Sequence, residues 1–262
     1  MRKSFFLFSL LLLWLGGMVA AQQTSVTTRI HGNEITMTTT DGLELHAWLT
    51  ESPVGKAPLF VLLPMMGHTH TSYNPFIKAL YERFKTKDST RTLQTLPHIL
   101  SLDLRGHGAS TRLQSATISR QEMEPEDFAH YPSDVAAMIE KVAAENEAAI
   151  DRNYIVIIGA SIGANTAIMA AEQVSGVRQV VMLSPGESYR GLEPAASLVN
   201  FSGQALILAA KEDSYSRTSS EKLAGLNKKL ATLKIYEGSY HGTDLIDADK
   251  HAMKDLLDWL VK

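Results

Sequence analysis

Six short apolar runs, at residues 59–63, 99–102, 154–158, 180–183, 205–208 and 233–236, recur along this chain with helix-compatible stretches between them. Successive side chains of a strand point to opposite sides of a sheet, so a strand apolar at nearly every position needs cover on both faces. Alternating helices supply that cover, and the pattern points to the α/β class, with a mostly parallel sheet and helices on both faces. Ahead of it, residues 34–49 divide at Thr40-Asp41-Gly42 into two β-rich halves, 35–39 and 43–49. Asp-Gly between such halves suits a tight turn, and the segment reads as an antiparallel hairpin.

The helices carry their own signals. One is predicted to open at Pro132-Ser133 with Val135, Met138, Ile139 and Val142 on one face, at spacings of three and four residues. Met253, Leu256, Leu257 and Leu260 form a similar stripe near the end, assigned to the core. Lys222, Lys228 and Lys229 read as a solvated helix face. The least patterned stretch, 111–131, is polar and reads as a connection that flanks or covers a site.

Residues 1–21 read as a secretory signal: Arg2 and Lys3 supply charge, an apolar core follows, Gly16-Gly17 break it, and Val19-Ala20-Ala21 form a cleavage site before Gln22. This predicts export to a periplasm or the exterior, and no stable membrane insertion once the signal is removed. The competing reading is an uncleaved anchor, against which the glycine pair and the short apolar core argue. Residues 22–262 then form one domain of about 240 residues, long enough to bury a core without metal or disulfide support. The chain has no cysteine, which excludes disulfides, a thiolate nucleophile, cysteine-held metal and lipid attachment through cysteine. A formal charge of -3 with both signs interspersed leaves no basic stripe for nucleic acid.

The run at 154–158 leads into Gly159-Ala160-Ser161-Ile162-Gly163 and then a helix-compatible stretch. Glycine at both positions two residues from a serine permits a turn so tight that the serine is pushed out of the fold. Its hydroxyl then sits at a helix N-terminus, where free N–H groups and the helix dipole favour developing negative charge. The alternative is an ordinary strand-to-helix turn in which the serine only caps the helix, and the flanking pattern weighs against it. Serine is a weak nucleophile near neutral pH and needs a base, which needs an orienting partner. Loops at the carboxyl ends of later strands supply both: Lys211-Glu212-Asp213 after 205–208, and Ser239-Tyr240-His241-Gly242 after 233–236.

The order Ser161, Asp213, His241, each after its own strand, resembles the α/β-hydrolase fold family. So does Asp103-Leu104-Arg105-Gly106-His107-Gly108-Ala109-Ser110, which is similar to a turn common in that family after its fourth strand. The resemblance covers nearly all of residues 22–262. It implies Ser161 as nucleophile, His241 as general base and then acid, and Asp213 as the orienting carboxylate. Glu212 is the alternative acid, and Asp244 and Asp247, placed on the first turn of the last helix, are read as complementing its dipole. The resemblance also implies an oxyanion hole from the N–H of Ile162 and of a residue after 59–63. There Leu63-Pro64-Met65-Met66-Gly67 replaces the family's usual His-Gly, making Met66 the expected donor and Met65 the reserve.

His68-Thr69-His70 lacks a third ligand, so no metal is assigned, and neither a metal nor an organic cofactor is required. Arg105 and His107 read as turn-structure residues. Only about 20 residues separate Ser184 from Gly203, too few for a large cap domain. The reading is a serine hydrolase of small or extended carboxylic esters. Thioester or amide cleavage, acyl transfer, and a catalytically silent binding protein are the alternatives.

Overall fold

The structure, a computed structural model, describes residues 32–85 and 95–261; the expected signal segment lies outside them. Strand β1 (Asn33–Thr38) and strand β2 (Leu43–Thr50) form the expected hairpin, with Gly42 at φ 93° in its turn. Strand β3 (Ala57–Leu63), a 3-10 turn (His70–Tyr73), helix α1 (Asn74–Lys85) and strand β4 (His98–Leu102) follow. Two short strands, β5 (Arg112–Leu113) and β6 (Ala116–Thr117), precede helix α2 (Pro125–Phe128) and helix α3 (Tyr131–Glu145). The chain continues through β7 (Ile150–Ala160), α4 (Ile162–Ala171), β8 (Val177–Leu183), α5 (Ala195–Asn200), β9 (Gln204–Ala210) and α6 (Ser214–Leu226). It ends with β10 (Ala231–Tyr236), α7 (Thr243–Ala248) and α8 (Lys250–Leu260).

The sheet runs β10-β9-β8-β7-β3-β4-β2-β5-β6, with β1 also on β2. Pairings from β4 through β3 to β10 are parallel, while β2 joins β4 antiparallel. The six apolar runs all lie in these parallel strands. Residues Leu59 to Leu63 of β3 are each 0% exposed, and their side chains alternate between two cores. Leu59, Val61 and Leu63 pack in the core that contains Val135, Met138 and Ile139 of α3 and Ala164, Ala167 and Ile168 of α4. Phe60 and Leu62 pack on the other side with Phe76 and Leu80 of α1 and Leu256 and Leu260 of α8. Each such side chain contributes about 1.5–3 kcal/mol of burial, which is why the sequence shows the sheet so clearly.

Helix α1 carries the chain from β3 to β4 on one side, and α3 carries it back past β3 to β7 on the other. The order therefore reverses between β3 and β7, and the gap at their carboxyl ends is where an open parallel sheet places a site.

Three expectations need correction. The stretch 111–131 contains β5, β6 and α2 instead of being wholly irregular; two-residue strands carry no periodicity to read. Strand β7 starts at Ile150, ahead of residue 154, through a register shift against β3. His241 precedes a separate short helix, and only Asp244 lies in its first turn. Asp249 breaks the chain there and starts α8, its carboxylate accepting from the N–H groups of His251 (2.7 Å) and Ala252 (3.1 Å).

The turn after β4 is a hub of buried charge. Arg105, 1% exposed, donates to both carboxylate oxygens of Asp134 (2.8 and 3.0 Å) and of Asp41 (2.6 and 3.1 Å). It thus ties the hairpin turn to α3. Asp103 accepts from the N–H of Ala109 (2.8 Å) and from the backbone and ring of His70 (2.7 and 2.9 Å). A Cβ on Gly108 would fall 1.9 Å from an Asp103 oxygen, so only glycine fits. Arg105 and His107 are turn residues here, as the sequence suggests.

Candidate active site

Ser161 joins β7 to α4 with φ 54° and ψ −119°, a conformation that costs a non-glycine residue about 1–3 kcal/mol and persists only where its surroundings enforce it. The surroundings are backbone. A Cβ on Gly159 would lie 2.0 Å from the Gly163 carbonyl oxygen, and one on Gly163 would lie 2.5 Å from that of Pro64. The two glycines therefore let the turn close and bring it against the end of β3. Ser161 donates its own N–H to Leu183 (2.8 Å), continuing the β7–β8 ladder, and is buried at 6% exposure instead of being pushed out of the fold.

Asp213 and His241 are aligned by the same device. The N–H of Lys211 bonds Tyr236 (2.8 Å) and that of Glu212 bonds Gly238 (3.0 Å), extending the β9–β10 pairing beyond both strands. This sets the two loops side by side, and Nδ1 of His241 donates to Asp213 Oδ2 at 2.6 Å. Glu212 points to solvent. The loop of His241 is anchored at its next residue: the N–H of Gly242 bonds the buried Ser184 Oγ (3.0 Å), and a Cβ there would lie 3.4 Å from Ala160 Cβ and 2.6 Å from Met65 Sδ. The residue after the histidine thus packs on the residue before the serine. No hydrogen bond joins Ser161 Oγ to His241 Nε2 among the described residues; such bonds commonly tighten only when substrate is bound.

On the third side, the turn after β3 closes with His68 N–H on Met65 O (3.1 Å) and Gly67 at φ 81°. The backbone N–H groups of Ile162, Met65 and Met66 have no acceptor among the described residues. They are donors free to meet an oxyanion, and the choice between Met65 and Met66 stays open. His70 is spent on Asp103 and stacks on Trp48 at 3.5 Å, while His68 lies exposed.

Tyr189, which the sequence reading passed over, also belongs to the cleft. Its hydroxyl lies 3.1 Å from Ser216 Oγ, which in turn lies 3.3 Å from His241 Nδ1, and its ring meets the imidazole edge-to-face at 6.3 Å. Burial holds the phenol above its usual pKa, with hydrogen bonding to Ser216 and to Ser161 working the other way. Its position after β8, on the same edge of the sheet as Ser161 and Asp213, was the available signal. A separate cavity of about 600 Å³ lies between α1, α7 and α8 and includes none of these residues.

The sequence model of the Alpha/beta hydrolase family matches residues 60–233, more than half of the chain. The chain belongs to this family. The matched span of this alpha/beta hydrolase includes Ser161 and Asp213 and stops short of His241. No curated protein sequence matches it. Among solved structures it is similar to an esterase of Pyrococcus furiosus (12% identity, TM-score 0.63, covering 87% of this chain and 88% of that one). It is also similar to acetyl xylan esterase 1 of a Thermoanaerobacterium species (14%, 0.63, 87% and 83%) and to an esterase of Exiguobacterium antarcticum (10%, 0.60, 87% and 99%). At such identities these likenesses speak to the fold.

Proposed function

We propose that this alpha/beta hydrolase is a serine hydrolase that cleaves carboxylic esters through an acyl-enzyme. The observation that carries the reading is the 2.6 Å His241–Asp213 contact on a loop packed against the strained Ser161 turn. His241 takes the proton as Ser161 Oγ attacks the ester carbonyl, and the N–H groups of Ile162 and Met66, with Met65 in reserve, hold the oxyanion. The imidazolium then protonates the departing alcohol. Water repeats the sequence: His241 removes its proton, hydroxide attacks the acyl carbon, and the proton returns to Ser161 as the acid leaves. Asp213 fixes the Nδ1–H tautomer and stabilises the imidazolium. Between β8 and β9 the chain forms one short helix, α5, which supports an open site and small or extended substrates.

The test is a panel of p-nitrophenyl esters of increasing acyl length beside amide and thioester analogues. Ester turnover lost in Ser161→Ala supports the reading, and a flat panel with folded protein favours the binding role. Export through residues 1–21 is proposed alongside, and a secreted product whose first residue is other than Gln22 would contradict the cleavage site.

A further inference from the structure

Arg120 stands beside the oxyanion turn. A Cβ on Gly67 would lie 3.4 Å from its Nη2, 3.5 Å from Nε and 3.6 Å from Cζ. The Nε and Nη2 side of the guanidinium therefore borders Gly67. Gly67 follows Met66 directly, and the closed turn keeps it within about two residue steps, roughly 7.6 Å, of Met65, which packs on Gly242 next to His241.

This cation is partly buried and has neither an ion pair nor a hydrogen bond among the described residues. The acids around it are otherwise engaged: Asp103 is held by His70 and Ala109, and Asp127 accepts from the N–H of Glu124 (2.9 Å). A second unmet polar atom lies nearby. Gly106 packs under the Arg120 backbone, with a Cβ there falling 3.2 Å from Arg120 N. The next residue, His107, is 2% exposed; its Nδ1–H is given to Arg105 O (3.0 Å), leaving Nε2 without a partner. Burial holds this imidazole below its ordinary pKa, with the Arg105 carbonyl working the other way and the Arg120 charge lowering it further; in neither protonation state is it an anion, so it offers the guanidinium no counter-ion.

We propose that Arg120 selects substrates, so that the preferred ester carries a second, anionic group, a carboxylate, held by the Arg120 guanidinium while the ester carbonyl lies between Ser161 and the oxyanion donors. The proposal rests on the esterase reading for its chemistry and on Arg120 for its specificity. A planar fork of N–H donors is the group that matches a carboxylate, and partial burial strengthens the pairing relative to an exposed arginine. Anchoring one end of the substrate orients the other for attack.

The experiment compares matched pairs: p-nitrophenyl hexanoate against mono-p-nitrophenyl adipate, which places the charge on the acyl side, and phenyl acetate against 3-acetoxybenzoate, which places it on the alcohol side. The expected result is that kcat/KM favours the anionic member of at least one pair by about tenfold or more at low salt, with the preference shrinking as ionic strength rises. In Arg120→Gln the anionic-to-neutral ratio should fall about tenfold, and Arg120→Lys should recover part of it. A ratio is insensitive to a fraction of misfolded protein. No anionic preference in either pair, or a ratio unchanged by Arg120→Gln, overturns the proposal. Calorimetric binding of monomethyl adipate to Ser161→Ala and to Ser161→Ala/Arg120→Gln separates the two claims. At least tenfold weaker binding in the double variant, without turnover by wild type, sustains the Arg120 site and removes only the esterase reading; equal binding removes the Arg120 site.

Discussion

Two glycine-rich turns, one after β4 and one after β7, flank the end of β3 and use similar residues for opposite ends. In the first, Asp103, Arg105 and Ser110 spend their polar atoms on the fold: Ser110 Oγ donates to Asp103 O (2.7 Å) and accepts from His46 N–H (2.9 Å), while Arg105 holds two carboxylates. In the second, Ser161 is held in a strained conformation, free backbone donors adjoin it, and His241 remains 37% exposed. Saturation makes a hub. Unspent groups on a rigid support make a site.

Several substitutions would break or sharpen this contrast. Asp213→Asn should lower kcat/KM by about 10⁴-fold, because the amide favours the wrong imidazole tautomer, while Glu212→Gln should change it little; steady-state kinetics on one ester decides between the two acids. In the hub, Arg105→Leu leaves Asp134 buried without its partner, and denaturant titration should show a loss of about 3–5 kcal/mol. A loss of activity per folded molecule without that loss of stability would erase the distinction between the turns.

Tyr189→Phe keeps the ring against His241 and removes the hydroxyl shared with Ser216. A fall of about tenfold in kcat/KM, with about 1 kcal/mol or less in stability, is expected. Equal losses on both axes would make Tyr189 part of the scaffold.

The smallest effect concerns pH. The Arg105 hydrogen bonds hold the Asp41 carboxyl well below its ordinary value of 3.8, against burial, which works to raise it. A depressed carboxylate stabilises the folded state above the unfolded pKa and loses that contribution as pH falls below it. Asp41 is partly exposed, so Asp41→Asn should cost about 1 kcal/mol at pH 7. The difference from wild type should shrink as pH drops below about 4, and a pH-independent difference would assign the effect to packing.

Much of this was legible in sequence, because the informative patterns are short-range. Two-sided apolar strands fix the sheet, and Gly159 with Gly163 fixes the turn that carries Ser161, although the serine is buried at 6% exposure instead of standing out of the fold. Asp213 and His241 follow from their places after strands. The groups that escaped notice are defined by partners far along the chain. Tyr189 is set in place by Ser216 and His241, and Arg120 lies against Gly67, some fifty residues earlier in the chain. Neither tyrosine nor arginine carries a spacing that announces this. The break between α7 and α8 was masked by a continuous helical pattern that Asp249 interrupts by capping.

Reaction with a fluorophosphonate, followed by peptide mass mapping, tests the central claim most directly. The account expects one phosphonyl adduct, on Ser161, formed at a rate that collapses when His241 is replaced by alanine. An adduct on another residue, or labelling indifferent to His241, would contradict it.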